Sequence, residues 1–139
     1  IAWRIERLER GGLRTRWTAN TIQRDPAWRK ARGPHCELNL APADAEALGV
    51  KKGDRMRIET RRGSIELPVA VDAKLAAGHC WMPNGFGVEY GSDLSGPLER
   101  QGANCNEITD VADRDPFTGC PHHRYVRVRL VPVARAAAA

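Results

Sequence analysis

Long apolar runs are missing from this sequence. No stretch approaches the roughly 20 residues that a membrane-spanning helix needs, and no signal peptide is visible. A chain without a membrane span is therefore expected, and the scattered cysteines fit a cytoplasmic protein. Short cysteine spacings are missing as well. Cys36, Cys80, Cys105 and Cys120 form neither a C-x-x-C pair nor a zinc-ribbon pattern. Cys120, His122 and His123 sit close together, but Cys105 lies well upstream, and structural zinc draws on closely spaced ligand pairs. Adjacent histidines on a strand point to opposite faces, which speaks against one shared metal. No metal ligand is assigned. Scattered cysteines of this kind fit reduced, partly buried thiols. Internal repeats are absent, and no nucleophile–base constellation stands out.

What is present begins with charge. Lys and Arg number 22 against 17 Asp and Glu, a net charge of +5. That favours an anionic ligand or partner, or a docking face on a larger protein; a solvated basic surface is the plain alternative. At 139 residues the chain suits one domain, residues 1–139, long enough to bury a core. It opens on Ile1, so a fragment or processed product is expected, and residues 133–139, which end in Ala136 to Ala139, are expected to fray.

The stretch Cys36 to Val71 organises the rest. It reads as strand, short helix, turn, strand, hairpin, strand. Pro42 suits the first helical turn, where its missing N–H costs nothing. Asp44 places a carboxylate near the positive end of the helix dipole. Ala45 and Leu48 share a face, and Gly49 supplies the left-handed residue that ends the helix. Lys51 to Asp54 is turn chemistry. Met56 and Ile58 alternate with Arg55, Arg57 and Glu59, the mark of a half-buried strand. Arg62-Gly63-Ser64 turns the chain, and Ile65, Leu67, Val69 and Val71 alternate on the way back. Pro68 cannot donate to a ladder, so it marks an edge or a bulge.

Around that stretch lie polar segments. Ile1 to Leu8 alternates loosely, as a first strand. Residues 13–30 are dense in hydrogen-bonding groups, with Trp17 and Trp28 among them and Asp25-Pro26 as a helix start. Such donors suit an oxyanion such as phosphate, which arginine grips with two bonds; an ordinary surface loop is the alternative. His79 to Met82 reads as a strand stopped by Pro83. Asn84 to Gly87 carries glycines that serve a turn or the close approach of a ligand. Residues 88–102 read as a long loop. Asn104 and Asn106 bring amides that donate and accept together, as a heterocycle edge requires, or else act as turn and cap residues. Val126, Val128 and Leu130 alternate with Arg127 and Arg129 in a closing strand. About six short strands, one helix and large polar loops fit a small β-barrel, since closure removes edge strands.

Several of these residues, taken in order, resemble a known family. They are Pro42-x-Asp44-Ala45-x-x-Leu48-Gly49, Gly53-Asp54, Arg61-Arg62-Gly63, Gly78, Met82-Pro83, Asn106-Glu107-Ile108-Thr109, Asp115-Pro116, Gly119 and Pro121-x-x-Arg124. The chain is similar to the C-terminal, molybdopterin-dinucleotide-binding domain of the dimethyl-sulfoxide-reductase superfamily, near its formate-dehydrogenase-like members. The resemblance covers about Gly12 to Leu130. It implies a mainly β fold, a double-psi β-barrel with one or more short helices, within a larger chain. It also implies a bis-molybdopterin guanine dinucleotide cofactor, with molybdenum or tungsten, shared with other domains or subunits of an oxidoreductase. The loop Arg14 to Thr21 matches the family's first cofactor loop, with Trp17 and Thr18 in its aromatic-Thr part; Asn20 and Thr21 belong to the same loop. Asn106 matches an Asn-x-Leu-Thr element, with Ile108 in place of the Leu. Arg124 takes the place of a basic residue. Ala41 stands where the family has a helix-capping residue, which implies a weaker helix start. In this family the metal ligand belongs to other domains, so the isolated chain is expected to be inactive.

Two other readings compete. One is a double-psi barrel serving as a nucleic-acid or protein-interaction module, supported by basic charge with interleaved Trp and Arg. The other is a self-processing decarboxylase cut at Gly63-Ser64, although a hairpin turn explains those residues. The cofactor reading, with no nucleic-acid partner, is preferred.

Overall fold

Alternation of apolar and polar residues drives most of the strands. The computed structural model describes residues 3–4, 13–16, 36–87, 89–90, 99–100, 102–120 and 126–133; of residues 3–4, 13–16, 90 and 99 it describes the backbone alone. The elements are β1 (Trp3–Arg4), β2 (Leu13–Arg16), β3 (Leu38–Leu40), α1 (Pro42–Ala47), β4 (Arg55–Glu59), β5 (Ser64–Val71), β6 (His79–Pro83), β7 (Glu89–Tyr90), β8 (Glu99–Arg100), a 3-10 turn η1 (Cys105–Glu107) and β9 (Arg129–Pro132). Seven strands form one mixed sheet in the order β1-β6-β3-β5-β4-β9, with β2 also paired to β6; β7 and β8 make a separate two-residue ladder inside the expected long loop. Among the described residues the fold is mainly β, with few and short helices.

In β4 the buried Met56 and Ile58 alternate with exposed arginines, and in β5 Ile65, Leu67 and Val69 turn inward. Their outward neighbours Arg57 and Glu66 are cross-strand partners and form an exposed ion pair at 2.9 Å. Val126, Val128 and Leu130 are buried as the alternation requires, although the β9 ladder itself starts only at Arg129. With Leu38, Leu40, Met82 and Ile108 these side chains make the core.

The helix forms as its local chemistry dictates. Pro42 occupies the first turn, and Ala41 provides no side-chain cap. Gly49, at φ +65°, closes the other end: its N–H meets Glu46 O at 3.0 Å, and the Val50 N–H meets Ala45 O at 2.9 Å. This is the Schellman arrangement. Pro68 sits where β5 changes partner. Ser64–Pro68 pairs with β4, and Val69–Val71 pairs with β3. The Val69 N–H bonds Asp54 O at 2.8 Å, so the neighbouring Pro68 nitrogen points the other way, to a side where β3 pairing has not yet begun. The proline therefore occupies a local edge within an inner strand.

Topology sorts the connections between two ends. β2 runs parallel to β6, so both strands exit at the same end. β3 runs antiparallel to β6, so Cys36 enters there. β5 runs parallel to β3, which puts the β4–β5 hairpin at that end too. The opposite end holds α1, the Lys51–Asp54 turn and the turn before β6. Among the described residues no helix is long and apolar enough to cross a membrane, and no group of His, Cys, Asp and Glu could hold a metal ion.

Candidate functional site

The end that gathers the exits of β2 and β6 is crossed by one segment, Gly102 to Asp113. Its first part is fastened to the loop after β6. Gly87 and the Ala103–Asn104 backbone approach so closely that a Cβ on Gly87 would sit 2.2 Å from Asn104 N. The buried Cys105 thiol donates to Asn84 Oδ1 at 3.1 Å, and the Ala103 N–H points at Cys36 Sγ at 3.3 Å. The last part of the segment is fastened to the β4–β5 hairpin. A Cβ on Gly63 would lie 2.9 Å from Glu107 O. Arg61 spans to Asp110 at 3.2 Å and to Asp113 at 3.0 Å. Asn106 is exposed in the middle of this bridge.

Asn104 turns out to be a cap. Its Oδ1 accepts the Asn106 N–H at 3.0 Å and starts η1, which leaves the Asn106 side chain as the segment's outward amide. Arg100 and Glu107 pair across the foot of the turn. Next to the hairpin the surface opens into a cleft of about 700 Å³, lined by the hairpin residues Glu59 to Arg62, by Ile108, Asp110 and Asp113, and by Val126, Arg127 and Arg129. Its floor is apolar: Ile108 and Val126 are buried. Its rim is cationic. Arg61 is neutralised by two carboxylates, and Arg129 has Glu59 only at 3.9 Å. Arg62 and Arg127 have no ion-pair partner among the described residues. The Ala112 N–H, then Arg61 and Arg62, hold the Asp110 carboxyl below the usual carboxylate range. Burial acts on the thiols in the other sense: it pushes Cys36 up to about 11 and raises Cys105, so both stay protonated at neutral pH. All four cysteines are free; three are at least partly buried, and Cys120 is exposed.

Of the residues expected at the site, two fall within the described residues, Arg14 by its backbone and Asn106 in full. Arg14 lies in β2, in register with Trp81 of β6 and two residues before the shared exit. Asn106 tops the bridge over that same end. Trp17, Thr18, Asn20, Thr21 and Arg124 lie outside the described residues. So does Trp28. The sequence reading missed the cleft rim, Arg62 and Arg127. It used Arg62 as a turn residue and Arg127 as the outward half of a strand pattern; only the register Glu59↔Arg129 shows that they converge.

A family model described as the molydopterin dinucleotide binding domain matches residues 11–127. The chain belongs to that family. The family implies a molybdopterin cofactor for the domain. Among curated relatives, YnfE of Escherichia coli (strain K12), provisionally named a dimethyl sulfoxide reductase chain, is 29% identical over 87 residues, 63% of this chain and 10% of that protein. A component of the NADH-quinone oxidoreductase of Salmonella typhimurium (strain LT2) is 38% identical over 64 residues, 46% of this chain and 7% of that protein. This chain thus spans a tenth or less of the relatives it matches. Acetylene hydratase from Pelobacter acetylenicus shares the fold, with a TM-score of 0.69 at 19% identity over 87% of this chain and 18% of that one. The lining of the cleft suits such a cofactor in its chemistry. An apolar floor suits a flat heterocycle, and the guanidinium groups of the rim can donate to phosphate oxygens.

Proposed function

We propose that residues 1–139 form one domain, closed as a double-psi β-barrel, that holds a bis-molybdopterin guanine dinucleotide with molybdenum or tungsten. The domain works inside a larger, formate-dehydrogenase-like oxidoreductase in the cytoplasm, whose other domains or subunits share the cofactor. One observation carries this reading. The cleft of about 700 Å³ opens between the segment that bears Asn106 and the stretch that follows Arg124. A cationic rim, an apolar floor and an outward amide thus stand at one end of the sheet, which is what an anionic heterocyclic dinucleotide needs. Arg14, Trp17, Thr18, Asn20 and Thr21 are assigned to the same cofactor, as the match to the family's first cofactor loop implies.

The chain's own part is to bind and orient. Arg127, Arg62 and Arg124 offer charge-assisted bonds to the diphosphate, and Asn106 offers a paired donor and acceptor to a base or pterin edge. When bound, the cofactor supplies the oxygen-atom or hydride chemistry. No residue of this chain is assigned a catalytic step.

The test is made in the parent enzyme. Arg124→Ala and Arg127→Ala should each weaken cofactor retention by about 1.5–3 kcal/mol, the range for a hydrogen bond to a charged group, and Asn106→Ala by somewhat less. Metal and pterin per polypeptide are measured, with the melting temperature of the cofactor-free form as a control for folding. Full occupancy in all three variants overturns the proposal.

A further inference from the structure

Asn106 is held by contacts that its own sequence neighbourhood does not reveal. The loop after β6 and the strand β3 entrance both grip the four residues before it. Gly87, at φ +75°, lets its backbone come so near that a Cβ would meet Ala103 C at 2.5 Å as well as Asn104 N at 2.2 Å. Gly102, at φ +72°, leaves room for Cys36, whose Sγ would lie 2.5 Å from an added Cβ. Cys36 in turn receives the Ala103 N–H and lies 3.8 Å from Ala103 O. Below the turn, Cys105 donates to Asn84 Oδ1 at 3.1 Å and lies 3.9 Å from Asn106 Oδ1. Asn104 then caps the Asn106 N–H, so the turn cannot rotate without breaking the set.

The geometry points to Cys105, Asn84 and Gly87 as positioning residues that set the direction of the Asn106 amide toward the cofactor. This rests on the reading of Asn106 as cofactor-facing. Backbone contact through Gly87 fixes where Asn104 lies. The Cys105–Asn84 bond fixes how far η1 can turn on that base. A buried, protonated thiol is well suited to the second task, because it donates one weak bond without bringing a charge under the ligand. The energy of this bond is small, but the position of a recognition group is sensitive to small rotations.

The experiment uses the parent enzyme with Cys105→Val, Cys105→Ser, Gly87→Ala and Asn106→Ala. Valine is bulkier than the thiol by about one methyl and donates nothing, and the melting temperature reports whether that bulk disturbs packing; serine is smaller and keeps a donor. Cys105→Val should retain cofactor roughly three- to ten-fold less well, the scale of one neutral hydrogen bond, and Cys105→Ser should restore retention. The melting temperature of the cofactor-free form should stay unchanged in both. Gly87→Ala should lose at least as much cofactor as Cys105→Val. If Asn106→Ala itself keeps its cofactor, the reading on which this rests fails. If Asn106→Ala loses cofactor while Cys105→Val retains it, the positioning role alone is overturned. A loss in Cys105→Val that appears only together with a lowered melting temperature, or that serine does not rescue, assigns the cysteine to packing and also overturns the role.

Discussion

Asp44 is 3% exposed, yet it is an acid. From the first turn of α1 its carboxylate accepts the buried Gly78 N–H at 2.6 Å, tying the helix to the turn before β6. Its place near the helix dipole was readable from Pro42 and the turn pattern; its bond to a residue 34 positions later was not. Asp44→Ala should cost about 1–3 kcal/mol in urea unfolding, since a buried donor is left without an acceptor. Asp44→Asn keeps an acceptor and should cost less. Burial raises the Asp44 pKa above its ordinary 3.8, against the Gly78 bond and His79, which lower it. The folded state therefore holds the proton more tightly than the unfolded chain. The stabilisation that this gives is complete below the ordinary carboxylate value and is lost as pH rises through the raised one. Relative to Asp44→Asn, the wild-type chain should lose stability across that window. A difference that moves the other way with pH would refute the assignment.

At the scale of elements, two glycines with similar dihedrals have different duties. Gly49 and Gly87 both have positive φ, +65° and +75°. An added Cβ meets nothing within 4 Å at Gly49, but at Gly87 it meets the backbone of another segment. Gly49→Ala should therefore cost only the left-handed backbone penalty, about 1–2 kcal/mol, and leave the bridge intact. Gly87→Ala should cost more and should shift the amide signals of Ala103 to Asn106. Denaturant melts and amide spectra of both variants separate strain from collision. Equal costs and unshifted bridge signals in Gly87→Ala would contradict the packing described. The ion pairs on the same elements are a lesser matter. Arg57–Glu66 is largely solvated, with side chains 44% and 33% exposed, and exposed pairs of this kind contribute about 0.2–1 kcal/mol.

For the whole molecule, what joins the strands is apolar burial. Among the described residues the nine largest fully buried side chains, from Leu38 to Leu130, come from β3, β4, β5, β6, β9 and the residue after η1. No metal-ligating cluster lies among the described residues. The domain should therefore keep its β signal in circular dichroism after chelator treatment, even where the cofactor's metal is lost. Collapse of that signal on chelation would show that the fold depends on a bound metal ion.

How much of this could be read in advance follows from the range of each interaction. The α1 helix, its glycine stop, the β4–β5 hairpin and the inward residues of β4, β5 and β9 are set by neighbours two to five positions apart. Alternation, proline and glycine chemistry in the sequence were enough to place them. Within residues 88–102 the two-residue ladder of β7 and β8 was not foreseen, because it depends on partners that local composition does not specify; the cap role of Asn104, a bond two positions long, was one of the two roles its sequence allowed. The order of motifs shared with a family was legible in the sequence, and the family model bears it out. The assembly of the candidate site was not. The contacts that build it join Cys36 to Ala103, 67 positions apart, Asn84 to Cys105, and Arg61 to Asp110. A sequence shows that Gly87 can accept close approach, but not which backbone will approach it. Only folding the sheet, which sends β2 and β6 out at one end and returns the hairpin to that end, brings those groups within bonding distance.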